Sequence, residues 1–109
     1  MDGLVKASTA VGAKPTMDLL YAAYKNRGWA YLTLKYPAAA ANDLRHAIEA
    51  NRQGASAYCL LAKAETDDAT SAKDKIDEHW RNCIAFAAAD ASVLSTWLEE
   101  ARLQLKGKP

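Results

Sequence analysis

The chain has 109 residues, half of them apolar and a quarter charged, with a formal net charge of +1. That length suits one domain with a core of modest size. The charge balance gives no basic face or run for nucleic acid, and no stretch approaches the roughly 20 consecutive apolar residues of a membrane span.

The N-terminal run MDGLVKASTAVGAKP lacks the apolar core of a secretory signal, and Asp2 carries the wrong charge for its start. A cytoplasmic location is expected. Residues 1–14 form an N-terminal arm or a short packing helix, residues 15–106 a helical domain, and residues 107–109 a tail. Pro15 suits a first helical turn, where its missing N–H does no harm. A first helix is predicted over Thr16 to Lys35, with Met17, Leu20, Tyr21, Tyr24, Gly28 and Tyr31 as its buried stripe. Gly28 costs such a helix roughly 1 kcal/mol relative to Ala. Its presence implies that a neighbouring helix comes close at that point.

Tyr36 is held extended by the proline after it, and Pro37 opens a second helix predicted to reach Ala50. Its inner face holds Ala40, Leu44, Ala47 and Ile48, while Asp43, Arg45 and Glu49 are expected to face water. The connection that follows ends on Gly54, which is able to adopt a left-handed conformation, and Ser56 is available as the next N-cap. A central third helix follows over Ala55 to Thr66. The Asp67-Asp68 pair lacks the further oxygen ligands of a calcium loop and is assigned to helix capping. A fourth helix over Ala72 to Ala88 buries Ile76, Trp80, Cys83, Ile84 and Ala87. Asp90 or Ser92 is expected to cap a fifth, which buries Val93, Leu94, Trp97, Leu98 and Ala101 and ends near Leu105.

The helical pattern repeats along the chain. Tyr24, Arg27 and Gly28 meet Tyr58, Leu61 and Ala62 at an offset of 34 residues, and Ala40, Leu44, Ala47 and Ile48 meet Ile76, Trp80, Cys83 and Ile84 at 36. Tyr58, Leu61, Ala62 and Glu65 are answered in turn by Leu94, Trp97, Leu98 and Ala101. With Tyr24, Gly28, Tyr31, Ala40, Leu44 and Ala47 spaced in this way, the chain resembles the tetratricopeptide repeat (TPR) family over about residues 21 to 106. It departs from that family at Arg27, where Leu is usual, in lacking a proline near Arg52, and in an insertion after Thr66. The resemblance implies an all-α superhelix of antiparallel helix-turn-helix repeats, two degenerate repeats and a terminal helix, about five helices in all. Tyr24, Gly28, Tyr31, Ala40, Leu44, Ala47, Tyr58, Ala62, Trp80 and Trp97 are its packing residues.

The same resemblance implies a concave groove lined by the first helix of each pair. By register its residues are Ala22, Lys25, Asn26, Trp29, Leu32 and Thr33, then Ser56, Cys59, Leu60 and Lys63, with Thr66, Asp67, Ser95, Glu99 and Arg102 extending it. Trp29 lies off the buried stripe and is the expected anchor for a partner side chain. The carboxylate clamp with which some family members hold chaperone tails is incomplete, because Ser56, Cys59 and Leu60 bring no positive charge to the second helix. The mixed lining of Trp29, Leu32, Lys25 and Lys63 suits a peptide of apolar and acidic character.

Catalytic machinery is not legible. His46 and His79 each stand among charged residues and are read as solvated surface histidines. Cys59 and Cys83 have no metal-ligand spacing and are read as small buried hydrophobes, although the closing of the second hairpin could bring them together. The expectation is a non-enzymatic protein-interaction module without metal or cofactor, binding a protein or peptide. A homodimer consuming the same surface is one alternative, and a small helical enzyme or regulator with a buried pocket is the other.

Overall fold

In the computed structural model, residues 16–69, 71–90 and 93–107 are described. The N-terminal arm, the opening Pro15, the candidate cap Ser92 and the last two residues of the tail lie outside them. The described residues form five α-helices: α1 Met17–Thr33, α2 Pro37–Ala50, α3 Ala55–Asp68, α4 Lys73–Phe86 and α5 Ser95–Leu105, with a 3-10 turn at Ala87–Ala89 after α4. Each helix packs on the next in the chain, and α3 also meets α1 and α5. The fold is all-α with repeat-like packing in sequence order.

The hydroxyl of Thr16 caps α1 by accepting a 3.1 Å hydrogen bond from the Leu19 N–H. The other end closes earlier than predicted. Lys35 adopts a left-handed conformation, φ 67°, its N–H donates to the Leu32 carbonyl, and the Tyr36 N–H donates to the Tyr31 carbonyl at 2.8 Å. This paired ending satisfies the last carbonyls, and the edge-to-face contact of Tyr31 with Tyr36 supplies the apolar clasp that accompanies it. Pro37 then starts α2 at once.

Gly28 lies where α1 crosses α2. A Cβ there would stand 2.7 Å from Leu44 Cγ and 3.3 Å from the Ala40 carbonyl oxygen. Beside that contact, Arg27 donates from Nε and Nη2 to both oxygens of Asp43, at 2.7 and 2.6 Å. Asp43 is therefore buried, 1% exposed, and does not face water as its charge suggested. The residue that departs from the repeat pattern is the partner of that buried carboxylate.

The turn into α3 also differs from expectation. Gly54 is not left-handed, with φ −77°; a Cβ on it would lie 2.3 Å from the Tyr21 ring. Close packing, rather than backbone freedom, requires glycine there. Ser56 does not cap α3. Its N–H donates to Asp90 Oδ2 at 3.0 Å, so Asp90 caps α3 from the far end of the second hairpin, and the N-cap position of α5 is held by Leu94. The Tyr21 hydroxyl donates to the same oxygen, and burial, followed by the Asp90 charge, pushes its pKa up to about 12.

Helix α3 is central and buried on nearly all sides. Asp67 and Asp68 form its last turn instead of the loop before the next helix; Ala69, left-handed at φ 56°, ends it. Ala40, Leu44, Ala47, Ala62, Trp80 and Trp97 are buried in the core, with Tyr31 and Tyr58 packed at its edge and Tyr24 stacked on His46. Met17 and Leu94, expected inside, are exposed, because they stand at the first residue of α1 and the N-cap of α5. Cys59 and Cys83 are joined by a disulfide between α3 and α4, with Cα atoms 4.7 Å apart. They are a covalent staple, not two free apolar side chains.

Candidate functional site

Where α1, α3 and α5 come together, a cleft of about 190 Å³ is lined by Trp29, Leu32, Thr33, Lys35, Leu60, Lys63 and Trp97. The apolar floor is nearly closed: Leu32, Leu60 and Trp97 are buried beneath it. Trp29 is 40% exposed and meets Trp97 edge to face, ring centroids 5.0 Å apart. This arrangement lets one indole carry an apolar ligand while the other fixes it. Two positions determine the shape. Gly28, one residue before Trp29, allows α2 to close on α1 from behind, and Thr33 ties its hydroxyl to the Trp29 carbonyl at 3.1 Å.

The rim is basic on one side. Lys63 pairs with Glu100 of α5 at 3.2 Å, an exposed contact of small energetic weight that holds the lysine across the cleft. Lys35 stands at the open end, presented by the left-handed turn that terminates α1. Asn26 lies beside Trp29 along the outer side of α1, whereas Lys25 is drawn over the Tyr21 ring, 5.6 Å from its centroid. Thr66, Ser95, Glu99 and Arg102 are exposed, and Asp67 borders a neighbouring hollow with Leu32 and Lys35.

Lys25, turned onto Tyr21, does not line the cleft, and two further residues placed in the groove by register are buried away from it. Ser56 and Cys59 are buried, the first under the segment that ends at Asp90 and the second in the disulfide. Repeat register treats one face of α3 as open, but a short array closes over the first turn of that helix. Lys35 and Trp97 were missing from the expected groove. Trp97 answers Leu61 in the repeat alignment and so read as packing alone; Lys35 is brought in by the turn, which periodicity does not describe.

A second cluster lies on the other side of α3. Glu65, buried, accepts from His79 Nδ1 at 2.5 Å, from Ser71 Oγ at 2.9 Å and from Arg45 Nη2 at 3.3 Å. His79 is therefore half-buried and bound to a carboxylate, not solvated. Burial alone would raise the Glu65 pKa, but the hydrogen bond and charge of His79, with the Ser71 and Arg45 hydrogen bonds, outweigh it and hold the pKa below the usual value. The Ser71 hydroxyl points its proton at the carboxylate, so these groups do not form a nucleophile-base relay. Nothing in the sequence marks Glu65 and His79 as neighbours, since their meeting depends on how α3 and α4 register.

Among the described residues no group of three or more His, Cys, Asp or Glu side chains is placed to hold a metal ion, and no helix is long and apolar enough to cross a membrane. Comparison with protein-family models, with curated proteins and with solved structures finds no match to this chain.

Proposed function

We propose that the chain is a non-enzymatic interaction module of tetratricopeptide type whose concave cleft receives a peptide or a segment of a partner protein. The observation that carries this reading is the half-exposed Trp29 set against the buried Trp97, with Leu32 and Leu60 below and Lys35 at the open end. An apolar side chain entering between the indoles and an acidic neighbour beside Lys35 would satisfy both parts of that lining. Selection of random peptides displayed against the protein tests it. The selected sequences should pair an aromatic or aliphatic residue with Asp or Glu and lose binding to Trp29→Ala; sequences that bind Trp29→Ala unchanged would refute the groove.

A homodimer is the second reading, favoured by Leu34 and Tyr36, two large apolar residues exposed on either side of Lys35 in the chain. Light scattering on wild type and Trp29→Ala separates the two: a dimer that the substitution splits supports self-association, and an unchanged monomer supports a free groove. The Cys59–Cys83 bond favours work in an oxidising compartment over the reducing cytoplasm. Two free thiols in protein taken from its native source would overturn that placement.

A further inference from the structure

The cleft between α2 and α4, on the opposite face of α3 from the tryptophan groove, has a volume of about 530 Å³, within the range of small-molecule sites. Opposite faces follow from the helical period: Leu60 and Lys63 of α3 line the groove, and Tyr58, Leu61 and Glu65 line this cleft. Its apolar wall is Ile48, Tyr58 and Leu61. Its polar wall comes from one stripe of α4, where Lys75, His79 and Asn82 recur at i, i+4 and i+7, with Arg45 facing them from α2.

The hydrogen-bond inventory sets the ligand chemistry. Glu65, the buried acid of the cleft, is engaged by His79, Ser71 and Arg45, so its charge is already compensated within the protein. Holding His79 through Nδ1 fixes the ring and leaves Nε2 without a partner among the described residues. Arg45 gives only Nη2 to Glu65 and keeps its remaining donors. Lys75 is exposed and its side chain makes no hydrogen bond or ion pair with the described residues, which leaves its charge available at the rim, where Glu78 is the exposed acid of the lining.

We propose that this cleft binds a small organic acid, its apolar or aromatic body lying on Tyr58, Ile48 and Leu61 and its carboxylate taken by Lys75 and Arg45. Tyr58 is prepared for that contact. Its hydroxyl donates to the Arg52 carbonyl at 2.9 Å and its ring packs against Phe86 and His79, which fixes its orientation. The ligand would meet residues that the peptide groove does not use, so occupation of one site does not require the other.

The test uses phenylacetate and its uncharged analogue phenylacetamide, followed through the ring resonances of Tyr58 and His79. Phenylacetate should give saturable shifts and bind about tenfold more tightly than the amide, the worth of one charge-assisted hydrogen bond. Lys75→Met should abolish that preference, Lys75→Arg should keep it, and Trp29→Ala should leave it unchanged. Lys75 is an exposed helix residue, and an unaltered melting temperature of Lys75→Met checks that the fold is intact. Equal binding of acid and amide, absence of saturable shifts, or a loss caused by Trp29→Ala instead of Lys75→Met would overturn the proposal.

Discussion

Arg27 and Asp43 show how a departure from a repeat pattern is compensated. A buried carboxylate must be paired, and the guanidinium of Arg27, the residue before Gly28, meets both of its oxygens. Arg27→Leu alone leaves Asp43 charged and unpaired, at an expected cost of about 3 kcal/mol in urea denaturation. Arg27→Leu combined with Asp43→Leu should recover most of it; a double variant no more stable than the single would contradict this account. From sequence Asp43 read as a surface residue because helical period fixes direction only within about a third of a turn, and the long reach of Arg27 is invisible to it.

At the same scale, Glu65 couples stability to pH. Its pKa is lowered in the fold, so its contribution is fully present above the unfolded carboxylate value and is lost as pH falls through the folded one. Acid titration of the melting temperature should therefore show a limb that flattens in Glu65→Gln. An unchanged limb in that variant would mean that the His79, Ser71 and Arg45 contacts add nothing to the charged form.

Among the elements, the first hairpin was the most legible. Two helical periodicities, the Tyr36-Pro37 break and the misplaced glycine together defined α1, α2 and their crossing. Gly28→Leu would drive a side chain into Leu44 and the Ala40 carbonyl, and a loss of about 3 kcal/mol or more is expected. An unaltered melting temperature would remove the reason given for glycine at this crossing. The second hairpin was less legible because long-range contacts finish it: Asp90 caps α3, Tyr21 packs on Gly54, and Cys59 is bonded to Cys83. None of these has a local signal. Residues 34 or more positions apart must meet before the caps can be assigned.

For the whole molecule, stacking in chain order spreads the described residues over 51 × 28 × 20 Å, an elongated body with α3 at its centre. Two surfaces result, the tryptophan cleft on one face of α3 and the polar cleft on the other. Trp29, Leu32, Thr33 and Lys63 could be assigned to the first from helical register, because α1 and the middle of α3 keep an open side. Ser56 and Cys59 could not be excluded from it, because their burial depends on how the short array closes on itself.

The three tryptophans offer a direct test of the groove. Trp29 and Trp97 line it, while Trp80 is buried in the core. A peptide selected on the wild-type protein, titrated into ¹⁵N-labelled chain, should shift the indole N–H signals of Trp29 and Trp97 and leave that of Trp80 in place. Binding that leaves the Trp29 and Trp97 signals unmoved would contradict the assignment of this cleft as the partner surface.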